Sequence, residues 1–332
     1  MNRSAVETAE RLASRHRKGR LFEWACLGAT SLGVLVLVVL LVGVCVQAWG
    51  WLDGDFVSSY DSRHPREAGI LAGIWGSFWL IGMTAIFSVP IGVGAAVYLE
   101  EYADRSWLTR LIQVNLANLA GVPSIVYGIL GLTVFVRMFG AFPDGKVIVV
   151  SLGIASLKIP IPFGRTVLSG ALTLTLLILP VVIVAAQEAL RAIPGSIRNA
   201  SIALGASRWQ TIRLQVLPAA APGILTGIIL ALSRAIGETA PLVMIGALTY
   251  VAFTPGGIET PIDVIRDPQG VLDAPYDTFT ALPIQIFNWV SRPKVEYQHV
   301  AAAGILVLLI VLLVLNGTAI LIRHRYRKGI RW

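Results

Sequence analysis

Charge is scarce in this 332-residue chain: 14% of its residues are Asp, Glu, Lys or Arg, where a soluble domain carries roughly 25%. With 55% hydrophobic residues, that scarcity excludes an ordinary soluble enzyme and points to an all-α membrane protein. Cysteine is almost missing. Cys26 and Cys45 lie in one apolar run, too far apart along a helix to bond, which excludes a disulfide framework and a cysteine metal site and leaves them as lipid-facing or packing residues. The four histidines, His16, His64, His299 and His324, have no metal spacing, and no zincin or nucleophile-elbow motif occurs. A distant likeness to a nucleotide-phosphate loop at 140–147 puts Val147 where Ser or Thr must hold magnesium and carries Pro143 within it. The chain therefore has no visible catalysis, cofactor or metal site of its own.

The net charge of +8 could suggest nucleic acid, but its placement reads as topology. Arg3, Arg11, Arg15, Arg17, Lys18 and Arg20 precede the first apolar run, and Arg323, Arg325, Arg327, Lys328 and Arg331 follow the last. Crossing the hydrocarbon takes about 20 mostly apolar residues in a helix, because every backbone polar group must be satisfied internally. Six segments qualify: 24–49, 70–99, 111–139, 166–186, 219–253 and 300–322. An even count with basic flanks places both termini in the cytoplasm, so 1–23 and 323–332 read as basic cytoplasmic segments and 24–69 as the first transmembrane helix with an outer loop. Residues 70–322 form the main membrane domain. Within it, 188–218 falls inside with four Arg, while 254–299 falls outside with Glu259, Asp263, Asp267, Asp273, Asp277 and Glu296.

Two outer stretches are less regular. Arg137, Lys146, Lys158 and Arg165 sit on the outer side against the charge rule. Between them, 147–157 is apolar but too short to cross, so 143–162 reads as a re-entrant or peripheral insert stopped by Pro160 and Pro162. Residues 282–290, with Trp289, read either as a short helix at the membrane interface or as a solvated loop with one hydrophobic patch.

The inner segment 188–218 is too polar to span. Pro194, Gly195 and Ser196 make a turn, 197–204 suits a helix, Gly205 offers a bend, and 207–217 forms a second amphipathic piece. Arg198, Arg208 and Arg213 can stay wet while Ile202, Leu204, Trp209 and Ile212 find apolar partners, either lipid or another protein. Asn199, Ala200, Ser201, three residues, Gly205, then Leu217 and Pro218 resemble the cytoplasmic loop of ABC importer permeases. That family's pattern is Glu-Ala-Ala, three residues, Gly, nine residues, Ile, one residue, Leu-Pro, and this chain departs from it at Asn199, Ser201 and Gln215. The resemblance implies a coupling helix seated on an ATPase subunit, with Arg198, Asn199, Ala200, Ser201, Leu204, Gly205, Ala206, Ser207 and Trp209 as the coupling residues.

The fifth span carries Ser233, Arg234, Gly237, Glu238, Thr239 and Pro241. A charge within a bilayer costs at least about 2.5 to 3.5 kcal/mol, so two in one span demand compensation. Four residues apart, Arg234 and Glu238 share a helix face and can pair. Gly237 and Pro241 weaken the helix there, so the span is expected to kink at the charges. The pair either lines a polar path or only fixes helix packing. The planar donor fork of a guanidinium suits phosphate oxygens, with Ser233 and Thr239 as added hydroxyls. Pro123 breaks the regular helix of the third span beside Ser124, and Asn115 and Asn118 lie one turn below, able to bond across helices or to polarise a cavity wall.

The run SRAIGETAPL at 233–242, with AGVPSIVYG at 120–128, SGALTLTLLILP at 169–180 and TALPIQIFNW at 280–289, resembles phosphate-specific ABC importer permeases of the A-type, over roughly 70–322. The resemblance implies a type I ABC importer permease (MetI-like) architecture with six transmembrane helices in a bacterial plasma (inner) membrane. It implies phosphate as cargo, with Arg234, Glu238, Ser233, Thr239, Asn115 and Ser124 along the substrate path. The implied partners are a homologous C-type permease, an ATP-binding subunit dimer, an extracytoplasmic phosphate-binding protein and membrane lipid, with no nucleic acid. The competing expectations are a permease for sulfate or molybdate, a secondary transporter or channel, and a membrane scaffold that transports nothing.

Overall fold

The apolar runs fold as long helices in the computed structural model, which describes residues 3–104, 106–142, 145–151 and 156–328. In chain order the α-helices are α1 (Arg3–Ala48), α2 (Gly54–Ser58), α3 (Leu71–Val97), α4 (Trp107–Ala120), α5 (Ser124–Gly131), α6 (Val167–Arg191) and α7 (Gly195–Ala203). They continue as α8 (Arg208–Thr211), α9 (Leu217–Ile236), α10 (Ala240–Ile245), α11 (Asp263–Arg266), α12 (Pro268–Asp273), α13 (Leu282–Val290) and α14 (Glu296–Lys328). Strands β1 (Lys146–Ser151) and β2 (Ser156–Ile161) stand between α5 and α6.

Among the described residues, five helical segments are long and apolar enough to cross a membrane: Lys18–Ala48, Leu71–Tyr102, Val167–Arg191, Arg208–Ile236 and Glu296–Arg325. A bent pair, Trp107–Ala120 and Ser124–Val136, turned by 104°, makes six if it counts as one span. The expected span 111–139 is thus broken, not merely distorted. Pro123 has no N–H to donate and holds ψ at 136°, outside the helical range. The basic leader is helical and continuous with the first span, α1 running from Arg3 to Ala48.

The centre of the bundle is α6, whose Leu174, Ile178 and Val182 are fully enclosed. Small residues let α3 approach it. A methyl group on Gly92 would lie 2.6 Å from Val182 Cγ1, and one on Gly170 would lie 2.8 Å from Leu80 Cδ1. Thr84 completes the contact by donating to its own helix at Leu80 O (2.7 Å) and lying 3.4 Å from Ala171 O.

Two outer segments take a form that the sequence left open. In the insert, expected as re-entrant or peripheral, the described residues form two strands, β1 and β2, paired antiparallel with Val147 opposite Pro160 and Val149 opposite Lys158. A β-branched run of this length satisfies its backbone across a hairpin, where a helix of the same length could not cross. The segment 282–290 is a helix, but it is folded into the protein between α3 and α14. Leu282, Ile284, Gln285 and Trp289 are buried, Leu282 N donates to Ser77 Oγ, and Gln285 Nε2 donates to Gly69 O. Trp289 Nε1 donates to Asp61 Oδ1 (2.8 Å), and Asp61 also pairs with Arg292. This cluster, which sequence reading missed because its members are 228 and 231 residues apart, ties the segment 49–70 to the segment 254–299.

Candidate functional site

The fifth span stops at the charges. Its helix α9 ends at Ile236, with Gly237 as the cap, and Gly237 N and Glu238 N close short turns onto Arg234 O and Ala235 O. A new helix, α10, then starts at Ala240 with Pro241 in its first turn, where a missing N–H is tolerated. It ends at Gly246, whose φ of +86° is open to glycine. The span over 219–253, expected to kink at the charges, is fully interrupted there.

Arg234 Nε lies 3.4 Å from Glu238 Oε1, so the pair forms across the break instead of along one helix face. Glu238 is 20% exposed and Arg234 50%. The terminal amino groups of Arg234 make no hydrogen bond among the described residues. The guanidinium is therefore partly neutralised while most of its donor fork stays available.

The broken third span is brought to the same place. Its half α5 packs directly on α10, close enough that a methyl group on Gly128 would lie 2.7 Å from Pro241 Cα. Tyr127 Oη donates to Leu119 O (2.8 Å), a carbonyl that also accepts from Val122 N (3.1 Å), so the phenol ties α5 to the end of α4 across the break. Two interrupted helices thus meet just beyond their breaks, which brings the Arg234–Glu238 pair and the ends of both helices together.

The other path residues are distributed unevenly. Ser233 Oγ lies 2.7 Å from Ile229 O and 2.6 Å from Asn316 Oδ1, so its hydroxyl is committed to α14. Thr239 is the half-buried N-cap of α10 with no side-chain cap bond. Ser124 opens α5, half-buried, and Asn115 is exposed on α4, donating to Leu111 O of its own helix. Sequence reading missed Asn316, although an amide inside the apolar run of α14 is itself a signal. Arg165 also finds a place: it lies against Gly246 at the C-terminal end of α10, where a cation is favoured.

On the opposite side of the bundle, α7 and α8 are two short helices hinged at Gly205, which has φ of +86°. Ser207 and Gln210 form a reciprocal capping box (Gln210 N to Ser207 Oγ, 3.3 Å; Ser207 N to Gln210 Oε1, 2.8 Å) that starts the second helix. That helix does not stop near 217 but passes through a π-turn, Ile212–Val216, into α9. Ser201 and Thr211 hydroxyls, 2.9 Å apart, link its two arms.

The outer surface of this element is apolar. Leu204 is 90% exposed, with Ile202 and Trp209 each more than half exposed beside exposed Asn199, Ala200 and Ser207 and half-buried Ala206. Ile212 is instead fully buried. Arg198 corrects the expectation of a wet cation: it turns inward and pairs with Glu101, Nη2 to Oε1 at 2.6 Å. Glu101 escaped sequence reading because it lies 97 residues away in the chain.

Residues 88–328 match the model of a family described as binding-protein-dependent transport system inner membrane component. The chain is 30% identical over 302 residues to the probable ABC transporter permease protein YqgI of Bacillus subtilis, covering 88% of this chain and 92% of that protein. It is 34% identical over 302 residues to the phosphate transport system permease protein PstA 1 of Mycobacterium tuberculosis (strain CDC 1551 / Oshkosh), covering 89% and 85%. In fold it resembles a chain of a bacterial alginate ABC transporter in complex with an alginate pentasaccharide-bound periplasmic protein. The TM-score is 0.60 at 15% identity, over 91% of this chain and 93% of that one.

Proposed function

Since this chain belongs to the family of binding-protein-dependent transport system inner membrane components, we propose that it carries inorganic phosphate across the membrane as the A-type permease subunit of an ATP-driven importer. It is a multi-pass membrane protein and a transport component. The observation that carries the phosphate reading is Arg234: a half-exposed guanidinium at the meeting point of two broken spans, held by Glu238 through Nε alone. A tetrahedral oxyanion offers acceptors matching the unused amino groups, and Glu238 keeps the charge compensated between transport events. The names of relatives such as the Mycobacterium tuberculosis protein support the same cargo.

Alternating access follows from the connectivity. A homologous C-type permease completes the path, an extracytoplasmic phosphate-binding protein delivers the anion, and a separate ATPase dimer closes under Leu204, Ile202 and Trp209. Because α8 runs through the π-turn into α9, movement of that surface is delivered along a continuous rod to Arg234. Both termini are cytoplasmic in this reading, and the broken spans open toward the outside.

The test is Arg234→Gln in the reconstituted complex. The complex assembles, and phosphate uptake into proteoliposomes falls by about ten- to a hundredfold, because a lost hydrogen-bonding charge removes about 1.5 to 3 kcal/mol of anion stabilisation. Unchanged uptake refutes the role of Arg234. Uptake of sulfate or molybdate in place of phosphate refutes the cargo.

A further inference from the structure

We propose that Arg198 and Glu101 form the joint through which motion of the cytoplasmic segment reaches α3 and α6, making Arg198 a positioning residue of transport and not a contact to the ATPase. The proposal rests on the reading of this chain as a permease subunit driven by a separate ATPase.

One guanidinium reaches three elements. Arg198 Nε and Nη2 donate to Glu101, in the π-turn Tyr98–Tyr102 that ends α3. Nη1 donates to Ile193 O (2.8 Å) and Nη2 also to Leu190 O (2.9 Å), carbonyls at and just beyond the C-terminal end of α6. Helix ends leave carbonyls with spare acceptor capacity and favour a cation there; besides Arg198, Leu190 O accepts only the short-turn bond from Ile193 N (3.2 Å) and one from the cap residue Ala192. The fork therefore pins α7 to the ends of both core helices with every contact directional.

Apolar packing holds α7 less firmly. No residue of α7 is fully buried, its Ile197 being half-buried, and its other side-chain link among the described residues, Ser201 to Thr211, runs to α8 within the same hinge. The joint is also shielded, with Glu101 9% and Arg198 23% exposed. The neighbouring pair Arg191–Glu100, by contrast, leaves Arg191 45% exposed, where solvent screening weakens it. Force entering at Leu204 thus has two exits: the continuous rod into α9, and the Arg198 fork into α3 and α6. With the second exit lost, α9 moves without the helices packed around it.

The experiment uses the full complex with its ATPase subunits in proteoliposomes and reads phosphate moved per ATP hydrolysed. In Arg198→Gln and Glu101→Gln the ATPase subunits still co-purify and hydrolyse ATP, while the transport ratio falls by about fivefold or more, the lower end of site-to-site coupling. Arg198→Lys, which keeps the charge but not the fork, gives an intermediate ratio, and Arg191→Gln keeps the ratio of the parent. A second arm covers variants that do not assemble. In a Cys26→Ser, Cys45→Ser background, Glu101→Cys with Arg198→Cys is joined by a short bifunctional thiol reagent, which restores assembly and the ratio. Unchanged ratios in both Gln variants overturn the joint, as does a covalent bridge that restores nothing. If the parent complex moves no phosphate, the cargo reading fails by itself. The joint is then read from ATP hydrolysis stimulated by the loaded binding protein, which Arg198→Gln uncouples from the binding protein if the joint is real.

Discussion

Replacing Asp61 by Ala should release the outer loops from the bundle while the membrane helices stay folded. The Asp61 carboxylate is 1% exposed at its side chain and holds two groups at once: Arg292, itself 19% exposed, and the indole N–H of fully buried Trp289. Breaking a buried pair by removing one partner costs about 3 to 5 kcal/mol, and an orphaned indole donor adds about 1 to 3. Arg292 keeps its bond to Ser62 O and its stacking on the Tyr297 ring, which favours the lower end of both, near 4 kcal/mol overall, or a factor of about 900 in a local opening constant. The assay is amide hydrogen exchange on the purified complex, following residues 56–70 and 282–290. Their protection should drop by about that factor while amides of α6 are unaffected. Asp61→Leu combined with Arg292→Met should exchange more slowly than Asp61→Ala, because replacing both charges leaves none buried alone. Unchanged protection in Asp61→Ala, or a double variant opening more readily than the single, refutes this reasoning.

Gly205→Pro should release or uncouple the ATPase subunit, since a φ of +86° is closed to proline; co-purification and substrate-stimulated ATP hydrolysis measure it. Leu204→Glu should weaken the same association by about tenfold or more, because a residue 90% exposed in the isolated chain is then charged at an apolar contact. Tyr60, whose hydroxyl donates to Glu259, is pushed up to about 12 by burial and by that carboxylate. Its contribution to the outer loops is therefore complete below pH 10 and lost between about 10 and 12, where ultraviolet phenolate titration shows a late group that Tyr60→Phe removes. A protease site inserted within 254–291 should be cut only from the extracytoplasmic face; cleavage only from the cytoplasmic face overturns the topology.

How much was legible in the chain depended on the range of the interaction. The spans, the Gly205 bend and the Ser207 start of α8 follow from local patterns, in which each residue's neighbours lie within a turn or two. The strands β1 and β2 were not legible, because an apolar run shorter than a membrane crossing has no periodicity that separates strand from re-entrant helix. The break at 237–239 was half visible, as a kink, because Gly237 and Pro241 weaken a helix but do not say how far it turns.

By itself the sequence determined that the chain crosses a membrane, where it crosses, and that Arg234 and Glu238 must compensate each other, because desolvation of charge and backbone is a local cost that each segment meets with its own residues. Tertiary structure alone decided which partners serve Arg198, Ser233 and Asp61. Glu101, Asn316 and Trp289 lie 97, 83 and 228 residues from them, and only the packing of α3, α6, α13 and α14 carries those groups across such separations into hydrogen-bonding range.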